Sequence, residues 1–300
     1  MLSAAGWGVR LRQVLGVRLG RLYQYPPRPL CRARVESTQA GVNLPAIALV
    51  TPSFNQAPYI AATVDSVLAQ RYPGLHYVIQ DARSRDGTAD ILARYSAAEV
   101  EVHMEADSGQ ADALNRGFAR ARGEIMGYLN SDDLLLPGAL HLVGQYFRDH
   151  PDVDVVYGNR LIVDSSGKEI GRWILPGHDG RVLRSVDYVP QETLFWRRRI
   201  WERVGGRFDA ALQFAMDWDM LLRFLDAGAQ FAHLPLLLGV FRVHTAQKTQ
   251  AAYRSRGSAE MAQLRARHAL GAGSTCEQVL AHGLFLLAHR RADAQFLAGF

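Results

Sequence analysis

The chain has 300 residues, of which 48% are hydrophobic and 21% charged, and its formal net charge is +5. This composition is ordinary for a soluble globular protein. The only two cysteines, Cys31 and Cys276, lie far apart. Their separation excludes a cysteine ligand set and predicts unpaired thiols in a reducing compartment.

The positive charge lies at the two ends of the chain. Residues 1–44 carry a net +6 and residues 251–300 a net +3, whereas residues 45–250 carry −4. Basic ends suit an anionic surface, although solvated faces are the commoner case. No run reaches the ~18 apolar residues of a membrane span, and arginines interrupt the apolar start, which argues against a secretory signal. We expect a cytoplasmic protein with peripheral contact at the inner face of the membrane.

The first predicted element is a basic amphipathic helix over residues 7–22, in which Trp7, Leu11 and Leu15 recur near helical spacing. Such a segment fits either a membrane surface or docking on its own protein. The prolines of residues 25–29 then predict an extended linker.

From residue 45 onward, strands alternate with helices. The predicted strands are 46–51, 75–80, 100–104, 125–129 and 153–157, and the predicted helices are 59–70, 88–96, 111–121 and 138–148. This alternation predicts an α/β fold with a mostly parallel sheet. Beyond residue 160 we expect a hairpin of 161–163 with 170–174, helices over 197–204 and 216–227, a strand over 236–243, and helices within 258–298.

Polar residues follow four successive predicted strands, namely Asn55, Asp81, Asp107 and Asp132. In open α/β sheets, ligands bind at the carboxyl ends of the strands. The run Asn130–Asp133 therefore predicts either a Mg²⁺ or Mn²⁺ site that holds a diphosphate, or a helix N-cap. The other strand-end acids favour the metal.

Two later features also have two interpretations. Capping competes with a functional role for Asp217, which precedes a helix-like run. The arginines of residues 197–199 fit a solvated helix start or a phosphate contact.

The runs Val50–Asn55, Asp81–Thr88 and Asn130–Asp133 resemble family-two glycosyltransferases of the GT-A fold, and Tyr128–Asp133 is similar to bacterial members that build surface polysaccharides. The resemblance spans residues 47 to about 245. It implies a GT-A-like, Rossmann-related sheet flanked by helices, with helical extensions at both ends. We expect a basic extension over 1–44, a transferase domain over 45–250 (a donor half over 45–160 and an acceptor half over 161–250), and a helical extension over 251–300.

The resemblance also implies residue roles. Asp81 would accept a hydrogen bond from uracil or thymine, and Asp217 would be the general base. The remaining implied contacts are Thr51, Pro52, Asn55, Asp107, Asn130, Ser131 and Arg242 for the donor, Asp132 and His244 for the metal, and Gln191 and Trp218 for the acceptor. On residue type alone, His244 also fits a hydrogen-bonded surface histidine, and both Trp218 and Trp196 fit the core.

Three positions depart from the family pattern: Ala82, Asn130 and Met216 stand where acids are common. The expected reaction is inverting transfer of a sugar from a UDP or dTDP sugar to a hydroxyl of a carbohydrate or lipid-linked acceptor. The alternatives are a catalytically degenerate sugar-nucleotide binder and a module that binds membranes or nucleic acid through its basic ends. The acidic body argues against nucleic acid. The loop after the first strand lacks the Gly-x-Gly-x-x-Gly of dehydrogenases.

Overall fold

The computed structural model describes residues 17–30, 43–245, 256–268 and 274–298. Its strands are β1 Ile47–Ser53, β2 Leu75–Asp81, β3 Glu101–Met104, β4 Ile125–Tyr128, β5 Leu134–Leu135, β6 Val155–Val163, β7 Glu169–Trp173, β8 Phe195–Arg197 and β9 Phe231–Arg242. Its helices are α1 Ile60–Leu68, α2 Thr88–Leu92, α3 Gln110–Arg120, α4 Ala139–Asp149, α5 Gly180–Leu183, α6 Arg198–Arg203, α7 Met216–Asp226, α8 Ser258–Arg267 and α9 Thr275–Ala298.

One mixed sheet joins these strands in the order β3-β2-β1-β4-β8-β6-β9-β5, and β7 pairs with β6. The strands β3, β2, β1 and β4 are mutually parallel. Every residue of β1 is buried, as expected of a central strand with both faces covered. The carboxyl ends of these four strands therefore meet at one edge of the sheet.

The strand–helix alternation predicted for residues 45–150 is confirmed except for the unpredicted two-residue strand β5, which follows β4 without a helix between them. The hairpin of β6 with β7 is also confirmed. The strand predicted at 153–157 forms the start of β6, which belongs to the same sheet and runs in the direction of β4, although the two strands do not pair. The short strand β8 lies between β4 and β6 and is antiparallel to both. Its three residues are too few to give a periodic signal.

The arginines of residues 197–199 bind the protein itself. Arg197 is 5% exposed and donates to the Val153 carbonyl, Arg198 donates to the Gly123 carbonyl, and Arg199 pairs with Asp154. The solvated interpretation is therefore wrong for the buried Arg197, whereas the Arg199 side chain is 47% exposed, as a solvated helix start predicts.

The segment 17–30 docks on the hairpin. Gln24 donates its backbone N–H to the Ile170 carbonyl, and Arg28 pairs with the buried Glu169. Residues 17–22 form a turn and not the predicted helix, and the rest of that predicted helix lies outside the described residues. The linker interpretation is corrected because Arg28 also forms a β-bridge to Glu169.

The C-terminal helices α8 and α9 agree with the helices expected within 258–298. Among the helices of the described ranges, none has the length and apolarity needed to cross a membrane. Cys276 is a free, exposed thiol, and Cys31 lies outside the described residues.

Candidate functional site

A cleft of about 540 Å³ opens at the carboxyl ends of the four parallel strands. This volume is within the range of small-molecule sites. Its lining comes from the loops after β1, β2, β3 and β4 and from the end of β9: Pro52, Ser53, Phe54, Gln56, Ala82, Ala106, Asp107, Gly109, Gln110, Ala113, Asn130, Ser131, Asp132, Phe241 and His244. The strand-end location predicted from the sequence is confirmed.

Asp132 and His244 meet in this cleft although 112 residues separate them in sequence. Oδ2 of Asp132 lies 2.9 Å from Nε2 of His244, whose ring packs 4.6 Å from the Tyr59 ring. His244 is therefore hydrogen-bonded and, at 7% exposed, not on the surface, and its role as a metal ligand stays a prediction. A carboxylate with an imidazole is a donor set that a divalent cation accepts.

The loop that carries Asp132 is braced from two sides. The Thr63 hydroxyl of α1 contacts the carbonyls of Ser131 (2.9 Å) and Asp133 (2.8 Å). Arg242 donates from Nε to the Asp132 carbonyl and from its backbone N–H to Asp133. Arg242 is 6% exposed and lies outside the cleft lining, so in this structure it supports the loop.

Asn130 links three elements in a way that an aspartate could not. Its side-chain oxygen accepts from Gln110, and its amide N–H₂ donates to the Gln191 side chain, which in turn donates to the Tyr128 carbonyl. An ionised carboxylate only accepts hydrogen bonds. The amide at this position is therefore explained by its neighbours.

Asp133 turns away from the cleft into the protein. Burial raises its pKa well above the usual range, and the charges of Asp132 and Glu192 raise it further. Of the two adjacent acids, only Asp132 lines the cleft.

Asp81 lies directly behind the cleft surface. It is fully buried, and its carboxylate accepts hydrogen bonds from the Ser53 hydroxyl and from the backbone and side chain of Ser84. A carboxylate offers about four acceptor sites, so one more donor can be accommodated. Ser53 and Ala82, on either side of it, both line the cleft.

Of the three residues expected around the nucleoside, only Pro52 lines the cleft. The Thr51 hydroxyl is fully buried against the Tyr77 hydroxyl at 2.9 Å, so its assignment as a lining residue is wrong. Asn55 is exposed, with a φ of 53°, and its side chain accepts from the Arg85 N–H. Phe54 and Gln56 line the cleft instead. Their position beside the end of β1 is the sequence feature that identifies them as candidates.

Asp107 lines the cleft as expected, and its Oδ1 accepts the N–H of Gly109. Gly109 has a φ of 129°, in the region that favours glycine. It leads directly into α3, so a helix N-terminus, which favours anions, begins at the cleft.

Asp217, at the start of α7, lies outside the cleft lining and within electrostatic range of Asp187 and Tyr128. Burial raises the pKa of Asp217, and burial together with the Asp217 charge raises the pKa of Asp187 well above its usual range. Oδ1 of Asp187 is buried without a hydrogen-bond partner in the described part of the chain.

Glu260 of helix α8 holds the segment before Asp217 in place. The Glu260 carboxylate accepts the backbone N–H groups of Gln213 (3.0 Å), Phe214 (2.8 Å) and Ala215 (3.0 Å). No local sequence pattern marks Glu260, because its partners lie more than 40 residues away.

The expected acceptor contact of Trp218 is wrong. Trp218 is fully buried and its indole N–H donates to the Leu183 carbonyl, so the core interpretation is correct. The same holds for Trp196, which is also fully buried. Asp219 is 1% exposed and pairs with Arg223 and Arg267.

Asp187→Asn is expected to stabilise the fold at pH 7 by about 1–3 kcal/mol. An unfolded aspartate titrates near pH 4. Because the pKa of Asp187 is raised in the folded state, the contribution of this carboxyl to stability is complete below its unfolded-state pKa and is lost as pH rises through its folded-state pKa. The gain from the non-titrating asparagine should therefore grow from about pH 4 upward. Urea unfolding across this range measures it.

Asp219→Asn is the matched control, because it removes a paired buried carboxylate and should lower stability at pH 7. A pH-independent difference between Asp187→Asn and the parent would contradict the burial of an ionisable Asp187.

The parallel strands and the cleft at their carboxyl ends define an α/β protein with a cleft at the edge of the sheet where such folds bind ligands. Residues 48–216 match the sequence model of glycosyl transferase family 2, and the chain belongs to that family. Its fold is the GT-A fold.

Two of the relatives in sequence are considerably longer than this chain. It is 30% identical to the O-antigen biosynthesis protein RfbC of Myxococcus xanthus, over 83% of this chain and 20% of RfbC. It is 27% identical to the chondroitin synthase of Pasteurella multocida, over 64% of this chain and 20% of the synthase. The chain thus spans about a fifth of the length of these two relatives.

Solved structures share the fold. TarS of S. aureus, residues 1–349 in complex with UDP-GlcNAc, has a TM-score of 0.63 at 19% identity and covers 80% of this chain and 71% of its own. The mannosyltransferase PcManGT of Pyrobaculum calidifontis, in complex with GDP-Man and Mn²⁺, has a TM-score of 0.57 at 20% identity and covers 98% and 83%.

Proposed function

We propose that the protein transfers a sugar from a nucleotide-diphosphate sugar to an acceptor hydroxyl with inversion, in the synthesis of a bacterial surface polysaccharide or other glycan. The observation that carries the proposal is the meeting of Asp132 and His244 in a cleft at the strand ends. The printed name of RfbC supports the polysaccharide.

A uridine or thymidine diphosphate sugar is the donor we propose. The remaining acceptor site of Asp81 suits the N3–H of uracil or thymine. The diphosphate would lie toward Ser131 and the start of α3, and Asp107 would face the donor sugar or ribose. The complex of TarS with UDP-GlcNAc supports a uridine donor, whereas the GDP-Man complex of PcManGT shows that this fold also accommodates a purine donor.

Mg²⁺ or Mn²⁺ fits the pair Asp132 and His244. The described part of the chain holds no cluster of three or more His, Cys, Asp or Glu suited to a metal. Two protein ligands leave coordination sites for a diphosphate and water, which is the usual arrangement for a hard divalent cation at a phosphate. A bound cation would stabilise the negative charge of the departing diphosphate.

Asp217 is the proposed general base. It would take the proton of the acceptor hydroxyl as the hydroxyl oxygen attacks the anomeric carbon and the nucleoside diphosphate leaves. A single displacement inverts the anomeric centre.

The acceptor would approach from residues 161–250, with Gln191 beside the donor site through its bond to Asn130. Residues 45–160 would form the donor half, with 1–44 and 251–300 as extensions. A lipid-linked acceptor would place the enzyme at the cytoplasmic face of the membrane.

A catalytically degenerate sugar-nucleotide binder is the second candidate, favoured by Asn130 and Met216 in positions where the family carries acids. Assay of donor hydrolysis with and without Mn²⁺, over a panel of UDP, dTDP and GDP sugars, separates the two. Metal-stimulated release of a nucleoside diphosphate supports the transferase, and binding without release supports the degenerate protein.

Asp81→Ala is expected to weaken binding of UDP and dTDP by about 1–3 kcal/mol, because a buried hydrogen bond to the base is lost. Calorimetry measures the change. Asp90→Ala, which removes an exposed acid of α2, is the matched control. Equal affinity of Asp81→Ala and the parent for both nucleotides would contradict the assignment of the base site.

A further inference from the structure

Helix α9 has apolar side chains on two faces. On one face Ala281, Phe285 and His289 are buried. On the other, Leu280, Leu284 and Leu287 are 63%, 56% and 45% exposed. Spacings of four and three residues place these leucines in one row along the helix. A surface helix of a globular protein normally has one apolar stripe, so the second row calls for a separate explanation.

Two arginines extend this row. Arg290 and Arg291 are both exposed, and Arg291 stands four residues after Leu287, one helical turn further along the same face. Residues 251–300 carry six arginines and three acids. The exposed face of α9 is therefore apolar in its middle and basic toward its end.

The N-terminal segment brings more positive charge to this helix. Arg18 lies 3.8 Å from Asp293 of α9, and Val17 is buried in the same apolar cluster as Phe285. Residues 1–16, outside the described ranges, contain Arg10 and Arg12 and no acid. The sequence that precedes residue 17 is therefore basic, and the described segment 17–30 begins beside α9.

We propose that the leucine row of α9 (Leu280, Leu284 and Leu287), with Arg290 and Arg291, docks the protein on an anionic lipid surface. Leucines on a helix that lies in the interface enter the headgroup–acyl boundary. The arginine side chains reach the lipid phosphates while their stems remain over apolar surface. A helix face that exposes both leucine and arginine is better suited to an anionic lipid surface than to water.

A second copy of the chain is the competing occupant. A stable protein interface buries about 800 Å² on each partner, which three leucines of one helix do not supply. Basic ends on both copies would also repel each other. A lipid surface has no such area requirement, and its negative charge complements the arginines.

The test is sedimentation of the full-length chain with vesicles of phosphatidylcholine alone or mixed with phosphatidylglycerol, without donor. The parent should bind the mixed vesicles only. Leu280→Gln/Leu284→Gln should reduce binding at least tenfold, and Arg290→Gln/Arg291→Gln by about fivefold for each charge removed. The matched control is Leu236→Gln, which changes an exposed leucine of β9 and should bind like the parent.

Undiminished vesicle binding by both α9 variants would overturn the proposal, as would a loss of binding caused only by deletion of residues 1–16. A concentration-dependent dimer that the leucine changes dissolve, with no vesicle binding by the parent, would assign the face to a second copy and also overturn it. Binding is measured without sugar transfer, so failure here is distinguishable from failure of the proposed function.

Discussion

The Asp217→Asn enzyme is expected to bind donor and Mn²⁺ as tightly as the parent but to transfer sugar roughly 10²–10⁴-fold more slowly. The amide keeps the shape of the side chain and its place at the start of α7 but cannot accept the proton of the attacking hydroxyl. Asp217 also lies outside the donor cleft, so donor affinity should survive. Calorimetry with donor and Mn²⁺, beside a transfer assay, measures both quantities.

Asp219→Asn serves as the comparison within the same helix. Its carboxylate is 1% exposed and held by Arg223 and Arg267, so this change should lower stability while the folded enzyme keeps its turnover. Near-normal transfer by Asp217→Asn would show that the base lies elsewhere.

Asp132→Asn is expected to weaken metal-dependent donor binding by about 10–100-fold or more and to lower turnover as well. Asp132 lines the cleft beside His244, so a cation held there contacts the donor diphosphate before the reaction as well as during it. Donor affinity measured with Mn²⁺ and with EDTA should differ in the parent and converge in the variant.

Asp152→Asn, an exposed acid at the entry to β6, is the control for this experiment. Equal loss of metal-dependent donor binding in Asp132→Asn and Asp217→Asn would move Asp217 to the metal site. Donor binding that is insensitive to metal in the parent would remove the metal from the proposal.

Glu260 links the position of Asp217 to the C-terminal region. Its carboxylate satisfies three backbone N–H groups immediately before α7, the helix that begins with Met216 and Asp217. Unpaired backbone donors at a helix start are costly when buried. The position of the proposed base therefore depends on a helix that shows no chemistry of its own in the sequence.

Local patterns in the sequence determined the order of strands and helices from residue 45 to residue 150 and the location of the cleft. Apolar runs bounded by polar loops mark buried strands, and parallel strands bring their carboxyl ends to one edge. Asp107, Ser131 and Asp132 were found in this way, because each follows directly after a strand.

Only the tertiary structure decided which neighbouring side chains face the cleft. Thr51 and Pro52 are adjacent in β1, yet only Pro52 lines the cleft, because the Thr51 side chain is buried against the Tyr77 hydroxyl. Trp218 lies in the first turn of α7, where a tryptophan suits either a ligand contact or the core, and only its burial and its hydrogen bond to the Leu183 carbonyl distinguish the two. Three features join distant parts of the chain. Asp132 pairs with His244, β8 lies between β4 and β6, and Glu260 accepts hydrogen bonds from residues 213–215. Such contacts are set by the order of strands in the sheet, a non-local property that no stretch of sequence encodes by itself.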